Sequence, residues 1–395
     1  MELNKIYNMD CLDGLKLLDE NSIDSIVTDP PYELGFMGKK WDKTGISYRV
    51  DLWKECLRVL KPGGHLLAFG GTRTYHRMAC AIEDAGFEIR DQIQWIYGSG
   101  FPKSMDISKA LDKKAGEVRE IVGYRKPDGS GIAGNAPKDS TGSHIWTGEL
   151  RSNKAITIEA QQWNGWGTAL KPANEPICLA RKPLSEKTVA ENVLKWGVGG
   201  LNIDDCRVPT DEVLTGGGGK LWSHYRDETQ ENAMIPLPSN EGRFPSNVIL
   251  DETAATLLDE QTGILKSGHM KAGQKRRKSK GLGGYGNRFP DEASSKGTPG
   301  DSGGASRFFY CAKASQKERG EGNKHPTVKP LNLIKYLITL ITPPNGITVD
   351  PFMGSGTTAL AAYQLGINYV CFELILEHIQ IADKRLYGIT PQLFV

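Results

Sequence analysis

Strand and helix signals alternate at both ends of this chain and fade between them, and that distribution leaves few folds open. In the first hundred residues, Ile6 and Tyr7 end in a turn at Asn8 to Asp10. Leu12, Leu15, Leu17 and Leu18 then give a short amphipathic helix, and Ile23 to Thr28 reads as a buried strand. A helix is predicted over about Tyr48 to Leu60, stopped by Lys61-Pro62-Gly63-Gly64. It is followed by a strand at His65 to Phe69, a helix at about Thr72 to Ala85 and a strand from Phe87 to about Tyr97. The grammar returns late, with a helix at Leu331 to Ile341 after Lys329-Pro330 and a strand at Ile347 to Asp350. A helix at Gly356 to Gly366, a strand at Tyr369 to Phe372 and a last helix at Leu376 to Leu386 complete it. Two late strands are too few for a sheet buried on both faces, so the two ends are expected to combine into one mostly parallel α/β sheet of six or seven strands.

Between them, from about Gly98 to Asn323, Gly, Ser, Asn, Lys and Trp dominate, with glycine tracts at Gly216 to Gly219 and Gly281 to Gly286. Only short strand-like islands appear, at Ile177 to Ala180 and Asn247 to Leu250, and there is no internal repeat. Trp146, Trp163, Trp166, Trp196 and Trp222 are too costly to leave in water for a disordered tract, so an irregular second domain with mobile loops is expected, its tryptophans serving a small core more than base stacking. The expected division is 1–97, 98–323 and 324–395.

No apolar run approaches the roughly 18 residues needed to span a bilayer, and Met1 to Lys5 lacks an apolar signal region, so a soluble cytoplasmic protein is expected. The seven cysteines lie too far apart for a Cys-x-x-Cys zinc site, His65, His76 and His144 lack ligand-like spacing, and no metal is expected. Net charge is +2, yet residues 266–329 carry 10 Lys and 5 Arg against 5 acidic residues, leaving 34 basic against 42 acidic side chains elsewhere. A basic stretch on an otherwise acidic protein suits a polyanion, although a solvated loop would have the same composition.

Two motifs carry chemistry. Asp350-Pro351-Phe352-Met353-Gly354-Ser355-Gly356-Thr357-Thr358-Ala359 follows a strand and opens a helix. It fits the Gly-x-Gly-x-x-Gly/Ala turn that lets a nucleotide-like ligand approach the backbone, and Glu373 ends the next strand, where it can accept from ribose hydroxyls. No Gly-Lys-Ser/Thr follows, which excludes a P-loop. Asp350 would place a carboxylate near a pyrophosphate, which disfavours NAD and suits S-adenosyl-L-methionine, a cofactor with ammonium and sulfonium groups. A structural strand-to-helix connection with an incidental acid is the alternative for this turn. The second motif, Asp29-Pro30-Pro31-Tyr32, directly follows the strand Ile23 to Thr28, and its prolines end pairing and fix an extended backbone at the sheet's C-terminal edge. An exocyclic base amine is a poor nucleophile because its lone pair is delocalised. The Asp29 carboxylate and Pro30 carbonyl can accept its two N–H groups and stabilise the developing charge, while Tyr32 offers a face to a base flipped from the duplex. Alone, a Pro-Pro turn could be punctuation.

Together the motifs resemble the amino-group DNA methyltransferases, the N6-adenine and N4-cytosine enzymes, in the motif order called beta, with the catalytic motif first and the cofactor motif last. The resemblance covers about residues 1–97 and 324–388. It implies a doubly wound, mostly parallel, seven-stranded Rossmann-like sheet with an inserted target-recognition region. It also implies methyl transfer from S-adenosyl-L-methionine to a flipped base by direct in-line displacement, with Asp29, Pro30, Pro31 and Tyr32 catalytic. The implied cofactor residues are Asp10 and Cys11 in Asn8-Met9-Asp10-Cys11-Leu12, Asp29, and His325, Thr327 and Lys329 in His325-Pro326-Thr327-Val328-Lys329-Pro330. Asp350, Phe352, Gly354, Ser355, Gly356, Thr357 and Glu373 complete the set. Asp at the first catalytic position is the usual N6-adenine form, Ser the commoner N4-cytosine form. A degenerate nucleic-acid-binding module and an RNA or protein amine as substrate are the alternatives. C5-cytosine chemistry lacks its Pro-Cys pair here, and a base deaminase lacks its zinc signature. The expected partner is double-stranded DNA, contacted by Lys39 and Lys40 beyond Tyr32 and by Lys275, Arg276, Arg277 and Lys278, on a monomer or homodimer of bacterial or phage type.

Overall fold

The computed structural model describes residues 1–35, 40–98, 100, 104–125, 132–133, 148–210, 242–266, 302–312 and 329–387. In chain order its elements begin with β1 (Lys5–Asn8), α1 (Cys11–Lys16), β2 (Ile23–Thr28), α2 (Val50–Val59), β3 (Leu60–Phe69), α3 (Tyr75–Asp84) and β4 (Glu88–Ile96). There follow α4 (Ile107–Lys114), β5 (Ile121–Arg125), β6 (Ile132–Ala133), β7 (Gly148–Arg151), α5 (Ile158–Gln162), β8 (Asn174–Arg181), α6 (Val189–Trp196), β9 (Val248–Asp251) and α7 (Glu252–Thr262). The last are β10 (Leu265–Lys266), β11 (Ser302–Gly303), β12 (Tyr310–Ala312), α8 (Leu331–Ile341), β13 (Ile347–Asp350), α9 (Thr357–Leu365), β14 (Asn368–Glu373) and α10 (Leu376–Tyr387). They form two compact units, Met1–Gly98 with Asn174–Val395, and Ser99–Ala173.

The larger unit is built on one sheet of order β1-β14-β13-β2-β3-β8-β4-β9-β12. Both chain ends contribute to it, as the strand count requires. It has nine strands, however, rather than six or seven, because β8, β9 and β12 come from residues assigned to a separate middle domain. The expected 98–323 domain is therefore not one body: from Asn174 onward the chain belongs to the larger unit. Strand β8 runs antiparallel between β3 and β4, with Ile177 opposite both Phe69 and Ile93. It is an apolar run buried from Pro176 to Arg181, so it carries no period-two signal and reads only as an island.

Alternate strand residues feed two cores. Val27, Leu67, Phe69, Ile177 and Leu179 pack with α8 and α9, whereas Ile26, Leu66, Ala68 and Cys178 pack with α1, α2 and α3. Helix α2 buries Leu52, Trp53, Cys56 and Val59 at helical spacing, while α8 is buried around most of its circumference. The Pro-Gly-Gly stop is absorbed into β3: pairing jumps from Ile23–Leu60 to Ser25–His65, so Lys61 to Gly64 bulge out. Asn192 Nδ2 donates to the Pro62 carbonyl at 2.8 Å, and a Cβ on Gly63 would stand 2.4 Å from that nitrogen.

The smaller unit packs α4 and α5 and carries the sheet β6-β5-β7. Its buried polar centre is Asp112, which accepts from Arg119 Nε at 2.6 Å and from the Thr157 amide and hydroxyl at 2.9 Å. Trp163 and Trp166 pack edge to face on each other and remain 39% and 59% exposed, so neither is the core residue expected. Trp196 lies on α6 in the larger unit, where its indole N–H donates to Ser185 Oγ. Trp146 and Trp222 lie outside the described residues. Among the described residues no helix is long and apolar enough to cross a membrane, and no cluster of three His, Cys, Asp or Glu could hold a metal.

Candidate active site

Four adjacent parallel strands, β1, β14, β13 and β2, end on one edge, and an acidic side chain stands at or just beyond each: Asp10, Glu373, Asp350 and Asp29. Asp10 caps α1, its Oδ1 accepting from the Leu12 amide at 2.8 Å. Cys11 is buried behind it, and burial followed by the Asp10 charge pushes its thiol up to about 12. Glu373 braces the glycine turn, accepting from the Gly354 amide and the Ile375 amide, each at 2.8 Å. Gly354 and Gly356 have φ of +57° and +83°, and a Cβ on Gly356 would stand 2.5 Å from the Ala382 Cβ, so glycine there permits both the turn and the packing of α10. The Ser355 carbonyl and the Thr357 hydroxyl accept from Arg385 Nη1 at 2.7 and 3.0 Å. Asp350 is 2% exposed and accepts from the Thr28 hydroxyl at 2.7 Å and the Phe352 amide at 2.9 Å. Burial pushes its carboxyl up to about 6 against the pull of these donors and Thr358.

The proline turn is anchored from three sides. The Pro31 carbonyl accepts from Ser47 Oγ at 2.9 Å, and the Ser47 carbonyl in turn accepts from the indole of buried Trp53. The Tyr32 carbonyl accepts from Thr74 Oγ1 at 2.8 Å, and the Glu33 amide donates to buried Asp42 at 3.0 Å. Lys329 Nζ donates to Asp29 Oδ2 at 2.6 Å, while Asp29 Oδ1 is buried without a partner. Burial alone would lower the Lys329 pKa, but the Asp29 and Glu175 carboxylates more than offset this and hold it above the usual lysine value. The Tyr32 hydroxyl donates to Glu175 Oε2 at 2.8 Å, and burial together with Asp29 and Glu175 drives its pKa well above that of an ordinary phenol.

The structure brings Asp10, Cys11, Asp29, Pro30, Pro31, Tyr32, Lys329, Asp350, Phe352, Gly354, Ser355, Gly356, Thr357 and Glu373 together on one unit, the acidic side chains along one edge. Lys329, expected at the cofactor, stands against the Asp29 carboxylate. His325, Thr327, Lys39, Lys275, Arg276, Arg277 and Lys278 lie outside the described residues; Lys40 opens a short 3-10 turn over Lys40–Lys43. Tyr97 was missed. Stacked obliquely beside Trp95, it has its pKa raised to about 12 by burial and then by Glu175. Glu175 belongs to the fragment Glu175-Pro176-Ile177, which resembles the family only loosely and carries no assigned role in the sequence. That fragment gains meaning only once the Ile177 island pairs beside β3.

An open, mostly parallel sheet with carboxylates along one edge of its parallel strands and a proline-locked acceptor beside them has the build of a transferase that binds a nucleoside-bearing cofactor. The family model of N6 and N4 methylases, described as DNA methylase, matches residues 23–384, and the chain belongs to that family of amino-group DNA methyltransferases. Type II methyltransferase M.HindIII of Haemophilus influenzae is 23% identical over 96% of this chain and 94% of its own. Type II methyltransferase M2.MboI of Moraxella bovis is 42% identical over 19% of this chain and 28% of its own. Among solved structures, the cytosine-N4-specific PvuII DNA methyltransferase matches at 15% identity and a TM-score of 0.45, covering 96% of this chain and 85% of its own. The M1.HpyAVI–SAM complex matches at 16% and 0.39, covering 97% and 98%.

Proposed function

We propose that this enzyme transfers a methyl group from S-adenosyl-L-methionine to the N6 amino group of adenine at specific sites in double-stranded DNA. The observation that carries the reading is the unpartnered Asp29 Oδ1, a buried acceptor held on a rigid turn while Lys329 occupies the other oxygen. A buried acceptor of this kind calls for a donor, and an exocyclic amine brings one. With the Pro30 carbonyl as second acceptor, both N–H groups are engaged, the lone pair points away from the ring, and charge developing on nitrogen meets a carboxylate. Tyr32 stacks on the flipped base. Asp at the first motif position supports adenine over cytosine, as the family resemblance implies.

The cofactor fits the edge by donor chemistry. Its adenine amine, ribose hydroxyls and ammonium are donors, and its ammonium and sulfonium are cationic, while Asp10, Glu373 and Asp350 offer acceptors and negative charge. Asp10 would take the adenine amine, Glu373 the ribose and Asp350 the cationic end. Gly354 and Gly356 admit the backbone turn, and Cys11, Phe352, Ser355 and Thr357 shape it. When bound, the cofactor supplies an electrophilic methyl on sulfur. Labelled methyl transfer to plasmid DNA, followed by nucleoside mass spectrometry, tests the reading. N6-methyladenine is expected, with Asp29→Ala folded yet at least about a hundredfold slower. N4-methylcytosine would overturn the choice of base, and activity within tenfold of the parent in Asp29→Ala would overturn the role of Asp29.

A further inference from the structure

Two carboxylates converge on one ammonium beside the catalytic turn. Lys329 Nζ stands 2.6 Å from Asp29 Oδ2 and 3.2 Å from Glu175 Oε2, and that same Glu175 oxygen accepts from the Tyr32 hydroxyl at 2.8 Å. The rings of Tyr32 and Phe69 lie 5.3 and 5.0 Å from Nζ, and the lysine side chain is 8% exposed against 25% for Asp29 and 19% for Glu175, so the ammonium itself is held largely out of water. Lys329 with Asp29 alone would be a neutral pair. Glu175 gives the cluster a formal charge of minus one.

That charge has a use only if Asp29 faces the reacting amine, so the inference rests on the function proposed above. As the amine nitrogen attacks the methyl carbon, the N–C bond forms while the S–C bond breaks with its electron pair going to sulfur, leaving neutral S-adenosyl-L-homocysteine. The nitrogen turns cationic, and its excess proton passes afterwards to water. A neutral ion pair offers the nitrogen only a dipole, whereas a net negative cluster stabilises it by a full Coulomb interaction formed mainly in the transition state. Glu175 also shares Lys329, leaving Asp29 Oδ1 for the base, and anchors the hydroxyl end of Tyr32 while Thr74 holds its backbone.

We propose that Glu175 is a positioning residue of the transfer step, which balances the Lys329 ammonium so that Asp29 presents uncompensated negative charge to the base amine and which fixes the Tyr32 ring beneath the base. Charge and orientation are separable. Glu175→Gln keeps an acceptor for the Tyr32 hydroxyl but removes the charge; Glu175→Ala removes both.

Steady-state kinetics of the full chain on plasmid DNA with labelled cofactor test this, with thermal unfolding of each variant alongside. For Glu175→Gln the expected result is a kcat lowered roughly ten- to hundredfold, with KM for DNA and cofactor within about threefold. Glu175→Ala should lose more, through KM for DNA as well. The double variant Glu175→Gln with Lys329→Gln leaves Asp29 alone with the cluster's minus one, and its kcat should exceed that of Glu175→Gln severalfold, a rescue that a merely structural role would not give. A parent kcat in Glu175→Gln, or a double variant no faster than the single, would overturn the proposal. A parent enzyme that methylates neither adenine nor cytosine would instead sink the reading of Asp29 on which it rests.

Discussion

Asp29 and Asp350 close neighbouring strands of one sheet yet meet opposite surroundings. Asp29 keeps a buried oxygen without a partner, whereas Asp350 accepts from Thr28 and the Phe352 amide on one oxygen and is buried until its carboxyl titrates at about 6. A cation placed beside Asp350 needs the ionised form. Since the unliganded protein holds the proton below about pH 6, binding there requires its release. Affinity for S-adenosyl-L-methionine should therefore rise with pH through about 6, by at most about tenfold per unit below it, and level off above. Calorimetry from pH 5 to 8 measures this, with Asp350→Asn expected to bind weakly and without the slope. Equal affinity at both ends of that range would place the cationic end of the cofactor elsewhere. Both aspartates were legible in the sequence because each lies in a contiguous motif whose prolines or glycines fix the local backbone. Glu175 stands in a fragment, Glu175-Pro176-Ile177, that resembles the family only loosely, and its role is not legible there, because its partners Tyr32 and Lys329 come from distant parts of the chain and only strand pairing brings the three together.

At the level of elements, β3 and β8 show what periodicity can and cannot convey. Strand β3 was placed correctly from His65 onward, but its Pro-Gly-Gly segment reads as a stop and is a bulge, and β8 is apolar enough to hide its pairing. Among the described residues, six of the nine strands lie where hydrophobic runs alternate with amphipathic helices; β8 and β9 stand as isolated apolar islands and β12 is only three residues long. On β3, His65 is 4% exposed with Nδ1 unpartnered, opposite Arg181, which itself pairs with Glu88. Burial first, then the charges of Arg181 and Arg90, push its pKa down to about 4. The unfolded chain therefore takes up the proton first, near 6.5. Stability from this group is fully present above that pH and is lost as pH falls toward about 4, amounting to about 3 kcal/mol in all. Asp350 runs the other way between about 6 and 4, so the informative quantity is a difference between proteins. Urea unfolding at pH 7 and pH 4.5 should show the parent losing stability relative to His65→Leu. A constant gap between the two proteins would mean that His65 takes up its proton in the fold as readily as in the unfolded chain.

Across the whole molecule, charge is arranged against the surplus elsewhere. Residues 266–329 carry a net +10 while the rest of the chain carries −8, a balance that only the complete sequence reveals. The acidic edge that suits a cationic cofactor repels DNA, whose duplex bears about one negative charge per 1.7 Å of axis, so the substrate must be held by positive charge brought from elsewhere in the chain. The basic stretch joins the strands of the middle sequence to α8 and the Lys329 end of the site, and Lys275, Arg276, Arg277 and Lys278 are its densest part. Such side chains are expected to meet phosphates rather than base edges, which sets affinity without setting sequence. Replacing these four by Ala should weaken binding to all duplexes alike. It should also flatten the slope of log affinity against log salt by up to about 0.9 per lost phosphate contact, leaving the methylated sequence unchanged. Fluorescence anisotropy across a salt series, with sequencing of the methylated sites, measures both. An unaltered salt slope would make the stretch a solvated loop, and an altered site preference would mean that these side chains read bases.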